Sequence, residues 1–468
     1  MNNKKAGSGD LFKTVLGSAG LTLLGLWFLR RPLLNRWHDF FLQTIMTEPY
    51  DENLWEFVSA STRTGLQKIV ETNLRAHHGK IIQRPFGSPW RSPGTEDLIF
   101  NLAQLAKLPV EGSVPVDTKV TLGPRAKRPL QISMPIIVSG MAYGLALSEK
   151  TKVALARGAA LAGTASNTGE GPMLPSERRA ARFLIVQYTR NGLNHQPEIL
   201  KQADMIEIQL GQAAIGGLGH RTEYNELPPL GRRLIGLKPG QAVVTYARMP
   251  GMNNPRKDLP RLVTRLRRLS DGVPVGVKIG AGNDLERDLE ILLEADVDFI
   301  AIDGAGAASK GSPPIIQDDF GVPTVYAVNR AAAYLKKQGV KNRVSLIAGG
   351  GLVTPGDFLK VLALGADAVY IGTIALFALT HTQVLKALPW EPPVDVVFAT
   401  GRYQNRLDVE KAAQNLANFL RACNAEIMEG VRALGKKAVR QVNKTDLAAL
   451  DPVTARELGI PLASRPCL

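Results

Sequence analysis

The stretch VSLIAGGGLVTPGDFLKVLALGADAVYIGTIALF, residues 344–377, contains two consecutive strand-then-helix units. Each short apolar run, Ser345 to Ala348 and Ala368 to Ile371, ends in glycines and is followed by helical apolar spacing. The first run opens onto Gly349-Gly350-Gly351 and the second onto Gly372-Thr373. Glycines let backbone amides approach a phosphate closely, and a helix starting near Thr373 turns its positive end to the anion. Either loop alone is an ordinary turn of an α/β protein. Side by side after the last two strands of a parallel array, the pair predicts the phosphate site of a (β/α)8 barrel, provided that six earlier strands exist.

Six such runs precede it: Ile136–Ser139, Gly163–Ala165, Leu184–Gln187, Met205–Gln209, Val275–Ile279 and Phe299–Ile302, alternating with helical patterns. With Val344–Ala348 and Ala368–Ile371 they make eight, and the expected fold is an α/β TIM barrel with flanking helical segments. The expected division is a membrane anchor over 1–31, an irregular segment over 32–130 that wraps the barrel, the barrel over 131–390, and a C-terminal helical extension over 391–468. Between the fourth and fifth strands an insertion, 213–255, is rich in Gly, Pro and Arg; long loops on that face of a barrel hold substrates.

The anchor is read from Leu11 to Leu29, LFKTVLGSAGLTLLGLWFL, which has about the length of a bilayer-spanning helix. Lys13 is its one charge, and Trp27, Phe28, Arg30 and Arg31 resemble an interfacial border. The sequence therefore predicts a single-pass transmembrane helix and a cell-membrane location; basic residues flank the span on both sides and do not orient it, and the chemistry argued below places the catalytic domain in the cytoplasm. The chain is ordinary in composition, 45% hydrophobic and 21% charged, with a formal charge of +15 that favours anionic partners. The basic residues are spread out without interleaved aromatics, so nucleic acid is not an expected partner. Cys423 and Cys467 stand far apart and form no Cys-x-x-Cys pair, which leaves zinc, cysteine-ligated clusters and a disulfide framework without support; no metal is expected.

The strand ends choose among phosphate-bearing ligands. Ser139-Gly140-Met141-Ala142-Tyr143-Gly144 is small enough for backbone to lie against a flat ring. Ser166-Asn167-Thr168-Gly169-Glu170-Gly171 supplies short polar donors, and Gln187 offers an amide to a ring imide. Lys278, in VGVKIG, places a cation where a reduced flavin develops negative charge. These features describe a flavin bed better than a sugar site.

At this level of detail the chain resembles the FMN-binding domain of glutamate synthases, especially the short stand-alone glutamate synthase-related proteins. The resemblance covers about 135–450 and rests on PIIVSGMAYG, AGTASNTGEGPMLPSER with IVQY, VGVKIGAG, DFIAIDGAGAASKGSP, LIAGGG with ALGADAVYIGT, and LDVEKAAQNLANFL. It implies FMN as cofactor, held by Ser139, Met141, Ala142, Ser166, Asn167, Gln187, Lys278, Gly349, Gly350, Gly351, Gly372 and Thr373. It also implies reduction of an imine formed from 2-oxoglutarate and ammonia to L-glutamate, with Lys278 and Glu170 at the reaction centre. Gln209 and Gln212 are the candidate substrate contacts. The implied partners are a small-molecule substrate, a diffusible electron donor such as ferredoxin or reduced nicotinamide, and a second copy of the chain in a homo-oligomer.

Departures from the family pattern are equally legible. The Gln-Gly-Ala-Lys-Pro-Gly segment that helps bind the dicarboxylate is replaced by Gln212-Ala213-Ala214-Ile215-Gly216-Gly217, so a cation is missing there, with Arg221, Arg232 and Arg248 as substitutes. The loop after the sixth strand keeps Asp303 and gains Lys310, and the cluster-binding cysteines and an N-terminal amidotransferase cysteine are absent. Two other readings stay open: a flavin enzyme acting on a different imine or carbonyl acceptor, and a membrane-bound flavin protein that only relays electrons. Plain readings also exist for single residues. Lys278 could pair with a neighbouring carboxylate, Glu170 could cap a helix near Pro175, His195 and His220 could be loop histidines, and Cys423 reads as a small core residue beside Leu420 and Ile427.

Overall fold

Short runs of buried aliphatic residues line up as a parallel eight-stranded sheet: β1 (Ile136–Val138), β2 (Ala165–Asn167), β3 (Phe183–Tyr188), β4 (Met205–Gln209), β5 (Val275–Gly280), β6 (Phe299–Asp303), β7 (Ser345–Gly349) and β8 (Ala368–Ile371). The lateral order is β1-β8-β7-β6-β5-β4-β3-β2, each strand hydrogen-bonded to the next in parallel register, as Gly276 opposite Phe299 between β5 and β6. Only the β1–β2 seam lacks a ladder. There the Thr164 hydroxyl donates to the Ile136 carbonyl at 2.5 Å, and Ser133 N–H to Gly163 O at 3.0 Å. The result is a nearly closed (β/α)8 barrel, as the eight runs predict. β2 starts two residues later than expected, because the helix Glu149–Ala162 runs on to its cap at Gly163.

In this computed structural model the described residues are 29–47, 49, 55–84, 87–88, 93–213, 215–307, 312–381, 383 and 394–465. The chain divides into two compact units, Met1–Ile82 and Gln83–Leu468. In the first, a helix over 29–47 is followed by Trp55–Arg63 and Leu66–His78. The expectation of a transmembrane helix is corrected here: among the described residues no helix is long and apolar enough to cross a membrane. The described helix carries Arg30, Arg31, Arg36 and Asp39, and each such charge costs roughly 2.5–3.5 kcal/mol at a bilayer centre. Residues 11–28 of the expected span lie outside the described residues. A single-pass cell-membrane location with a cytoplasmic catalytic domain is accordingly not supported.

Period-two alternation sorts the strand residues into two sets. Ile136, Val138, Ile206, Ile208, Val275 and Val277 face the surrounding helices. Ile137, Ile185, Met205, Phe299, Ala301 and Ile347 face inward and pack against Leu122, Leu130 and Ile132. These last three belong to an antiparallel hairpin, Val120–Leu122 with Leu130–Ile132, which plugs the N-terminal end of the barrel. The long helix Val409–Ala433, capped by Asp408 accepting from Lys411 N–H, lies on the helix Glu149–Ala162. Cys423 is buried on that helix and its thiol is pushed up to about 12, chiefly by burial, as suits an inert core residue.

Leu122 is fully buried in the plug. Leu122→Ala is expected to cost about 2–5 kcal/mol through lost transfer energy and the cavity left behind, read as a lower urea midpoint. An unchanged midpoint would show that the hairpin does not seal the barrel floor.

Candidate functional site

Above the apolar floor, the same inward register carries a polar layer: Asn167 on β2, Gln187 on β3, Glu207 on β4, Lys278 on β5, Asp303 on β6 and Tyr370 on β8. The Glu207 carboxylate is its hub. Asn167 Nδ2 and Gln187 Nε2 donate to Oε1 at 3.0 and 2.7 Å, and the Tyr370 hydroxyl donates to Oε2 at 2.7 Å. All of these groups are buried, and an acceptor-only carboxylate among three donors is the satisfied arrangement that burial demands. Burial, then the charge of Glu207, holds the Tyr370 phenol far above its ordinary value and so protonated.

Lys278 Nζ lies 3.0 Å from Asp303 Oδ2 and 5.4 Å from the centre of the Tyr370 ring. Burial alone would lower its pKa. The carboxylates of Asp303, Glu207 and Glu170 outweigh that, leaving it above the ordinary lysine value. Lys278 is thus paired with Asp303, with its charged form favoured, and it faces a cavity of about 630 Å³ at the C-terminal mouth of the barrel. That volume falls in the usual range for small-molecule and cofactor sites, roughly 300–1,000 Å³.

Most sequence-predicted residues meet at this cavity. Ser139, Met141 and Ala142 form one wall; Gln187 and Lys278 lie at its base; Gly349, Gly350, Gly351, Gly372 and Thr373 form the adjoining wall, and Glu170 and Gln212 line the cavity as well. Asn167, Ser166 and Gln209 do not line it. Asn167 stands behind Gln187 and Glu207, and its Oδ1 accepts from Gly169 N–H at 2.9 Å. The Ser166 hydroxyl is buried with no hydrogen-bond partner among the described residues. Gln209 is fully buried, its Oε1 accepting from Arg190 Nε at 3.3 Å. Glu170 does not cap the helix Pro175–Ala180, whose N-cap is Leu174.

The glycine wall fits a phosphate-bearing ring cofactor. A Cβ on Gly349 would stand 2.4 Å from Asp303 Oδ1, so a side chain there would displace the partner of Lys278. Gly350 has φ 115°, a conformation that other residues avoid. The helix Thr373–Thr380 has no side-chain cap at Gly372, which leaves its first amides and positive end for an anion at the cavity wall.

The insertion forms a cap. His220–Glu223 pairs antiparallel with Ala242–Thr245, with the helix Pro229–Ile235 between them, and His220, Arg221 and Leu218 reach the cavity. Arg221 is paired with Glu223 at 2.6 Å. Sequence reasoning passed over Glu207, Tyr370 and Arg190. A glutamate in the centre of the buried run MIEIQ, two residues before Gln209, was the available signal for the first. It also passed over Lys152, buried against Glu177 at 2.9 Å and donating to the carbonyls of Asn167 and Thr168 at 2.8 and 3.1 Å, which fixes the loop after β2 from behind.

Residues 96–437 match the family described as the conserved region in glutamate synthase. A glutamate synthase large subunit-like protein of Rhizobium meliloti (strain 1021) is 31% identical over 418 residues, 84% of this chain and 93% of that protein. An archaeal glutamate synthase [NADPH] of Archaeoglobus fulgidus is 32% identical over 321 residues; the match spans 67% of this chain and 61% of the archaeal protein. Among solved structures, a flavocytochrome b2 variant superposes with a TM-score of 0.51 at 16% identity, over 91% of this chain and 96% of that one. An active chimera of (S)-mandelate dehydrogenase gives 0.50 at 15% identity, over 76% and 88%. These two likenesses establish the fold. Family match, relatives and cavity agree: the chain belongs to the glutamate synthase family and is an FMN-dependent oxidoreductase.

Proposed function

We propose that the cavity binds FMN across the barrel mouth and reduces an imine formed from 2-oxoglutarate and ammonia to L-glutamate. The observation that carries this reading is the buried Lys278 at the base of a cavity that the glycine loops after β7 and β8 also line. When bound, the flavin supplies the hydride. Gly349, Gly350, Gly351 and the amides at Gly372 and Thr373 would hold its phosphate. Ser139, Met141 and Ala142 would lie along the ring, and Gln187, fixed by Glu207, would present its amide to the ring edge. Lys278 would offset the negative charge that reduction brings, from a buried position. Glu170 and His220, with Glu170 Oε2 3.7 Å from His220 Nε2, would handle protons beside the acceptor. Electrons would arrive from a diffusible donor.

A specific observation favours a second acceptor class. The dicarboxylate-binding lysine of the family is absent from Gln212–Gly217, and the cavity wall includes Leu145, Leu218, Leu352, Phe377 and Phe398. A 2-oxo acid or carbonyl compound with an apolar side chain suits that wall.

The reaction is tested by reducing the purified protein anaerobically and adding 2-oxoglutarate with ammonium. Rapid reoxidation only when both are present, with glutamate formed, is the expected result; a protein that stays reduced with both would exclude this acceptor. Lys278→Met is expected to lower the midpoint potential of the bound flavin by tens of millivolts, with flavin content and circular dichroism kept. An unchanged potential would remove Lys278 from its charge-stabilising role.

A further inference from the structure

Arg190, two residues beyond β3, is fully buried, and its guanidinium joins three parts of the site. Nη1 donates to Gly217 O at 2.8 Å and to Ala247 O at 3.2 Å, the carbonyls flanking the two strands of the cap hairpin. Nε donates to Gln209 Oε1, which ties the group to the end of β4. Nη2 lies 3.8 Å from Glu170 Oε1, and neither atom has a hydrogen-bond partner among the described residues. The neighbouring Asn191 repeats the pattern with a neutral group: its Nδ2 donates to Glu170 O at 3.0 Å and lies 3.4 Å from Thr245 Oγ1. Thr245 in turn contacts His220 Nε2 at 3.2 Å.

A buried guanidinium is costly unless paired. Here burial pulls its pKa down and the Glu170 carboxylate raises it. A buried cation whose Nη1 serves two cap carbonyls while Nη2 faces an orphaned carboxylate oxygen does more than close a gap in packing. Removing it would leave Gly217 O and Ala247 O without this donor, and would take from Glu170 the cation on its inner side.

We propose that Arg190 is a positioning residue for the acceptor side of the cavity: its guanidinium bolts both ends of the cap hairpin to the barrel and holds the Glu170 carboxylate in register with His220. Arg190 does not line the cavity, so it acts through Glu170 and the cap. The role in turnover rests on the proposed reaction; the role in fastening the cap does not.

The test uses full-length holoprotein carrying Arg190→Met, Arg190→Lys, Glu170→Gln or both R190M and E170Q. Hydrogen exchange followed by mass spectrometry is expected to show the cap, 218–247, exchanging roughly tenfold or more faster in R190M, with β5 to β8 unchanged. R190K keeps the charge without the planar fork and should show an intermediate rate. In anaerobic reoxidation by 2-oxoglutarate with ammonium, R190M is expected to be slower by ~10²-fold. The double variant should lose less than the two single losses combined, because part of the Arg190 effect runs through Glu170. Cap exchange equal to wild type in both R190M and R190K would overturn the proposal, as would additive losses in the double variant. A wild-type protein that ignores this acceptor would overturn the proposed reaction instead, and the exchange result would still decide whether Arg190 fastens the cap.

Discussion

A carboxylate with no access to water sets the terms for the rest of the barrel. Glu207 sits on a strand buried at every position, and an uncompensated charge there would cost several kcal/mol. The cost is offset by three donors from three other strands, Asn167, Gln187 and Tyr370. Each donor is fixed in return: the Gln187 amide is pinned at the cavity base, and the Tyr370 ring lies beside Lys278. Lys278 then needs its own carboxylate, which Asp303 supplies from β6. A chain of charge and hydrogen bonding thus runs from Asp303 on β6 to Asn167 and Gln187 on β2 and β3, across the base of the cavity.

That chain explains the vertical order of the interior. The floor is apolar and sealed by a hairpin, the middle layer is polar and internally satisfied, and the top is glycine and backbone. A rigid polar layer of this kind presents fixed dipoles to a ring resting on it, so little reorganisation accompanies a change in the ring's charge. The cap completes the enclosure from the insertion between β4 and β5, the longest departure from strand–helix alternation. Arg190 and Asn191 stitch it to the loop that carries Glu170.

The eight strands were legible because parallel barrel strands are continuous apolar runs, and the glycine wall because two glycine loops follow the last two of them. The cavity-lining side chains were legible near strand ends, as Gln187 and Lys278 are. Glu207 and Tyr370 lie inside strands, where a polar residue looks like an exception to burial until period two places it on the inner face. Arg190 was hidden for another reason: its partners, Gly217, Ala247 and Gln209, are backbone and amide groups that carry no charge pattern in the sequence. Gln209, a candidate substrate contact in the sequence, has its side-chain oxygen taken by Arg190. The membrane span was read from hydropathy over 11–29, and the described helix that follows is charged rather than apolar.

The most direct measurement is a titration of apoprotein with FMN, for the wild type and for Glu207→Leu, followed by flavin fluorescence. The account predicts close to one FMN per wild-type chain and binding weaker by about tenfold or more in the variant, because the Asn167 and Gln187 amides lose the carboxylate that holds them. Equal affinity in the two proteins, or a wild-type chain that takes up no FMN, would contradict it.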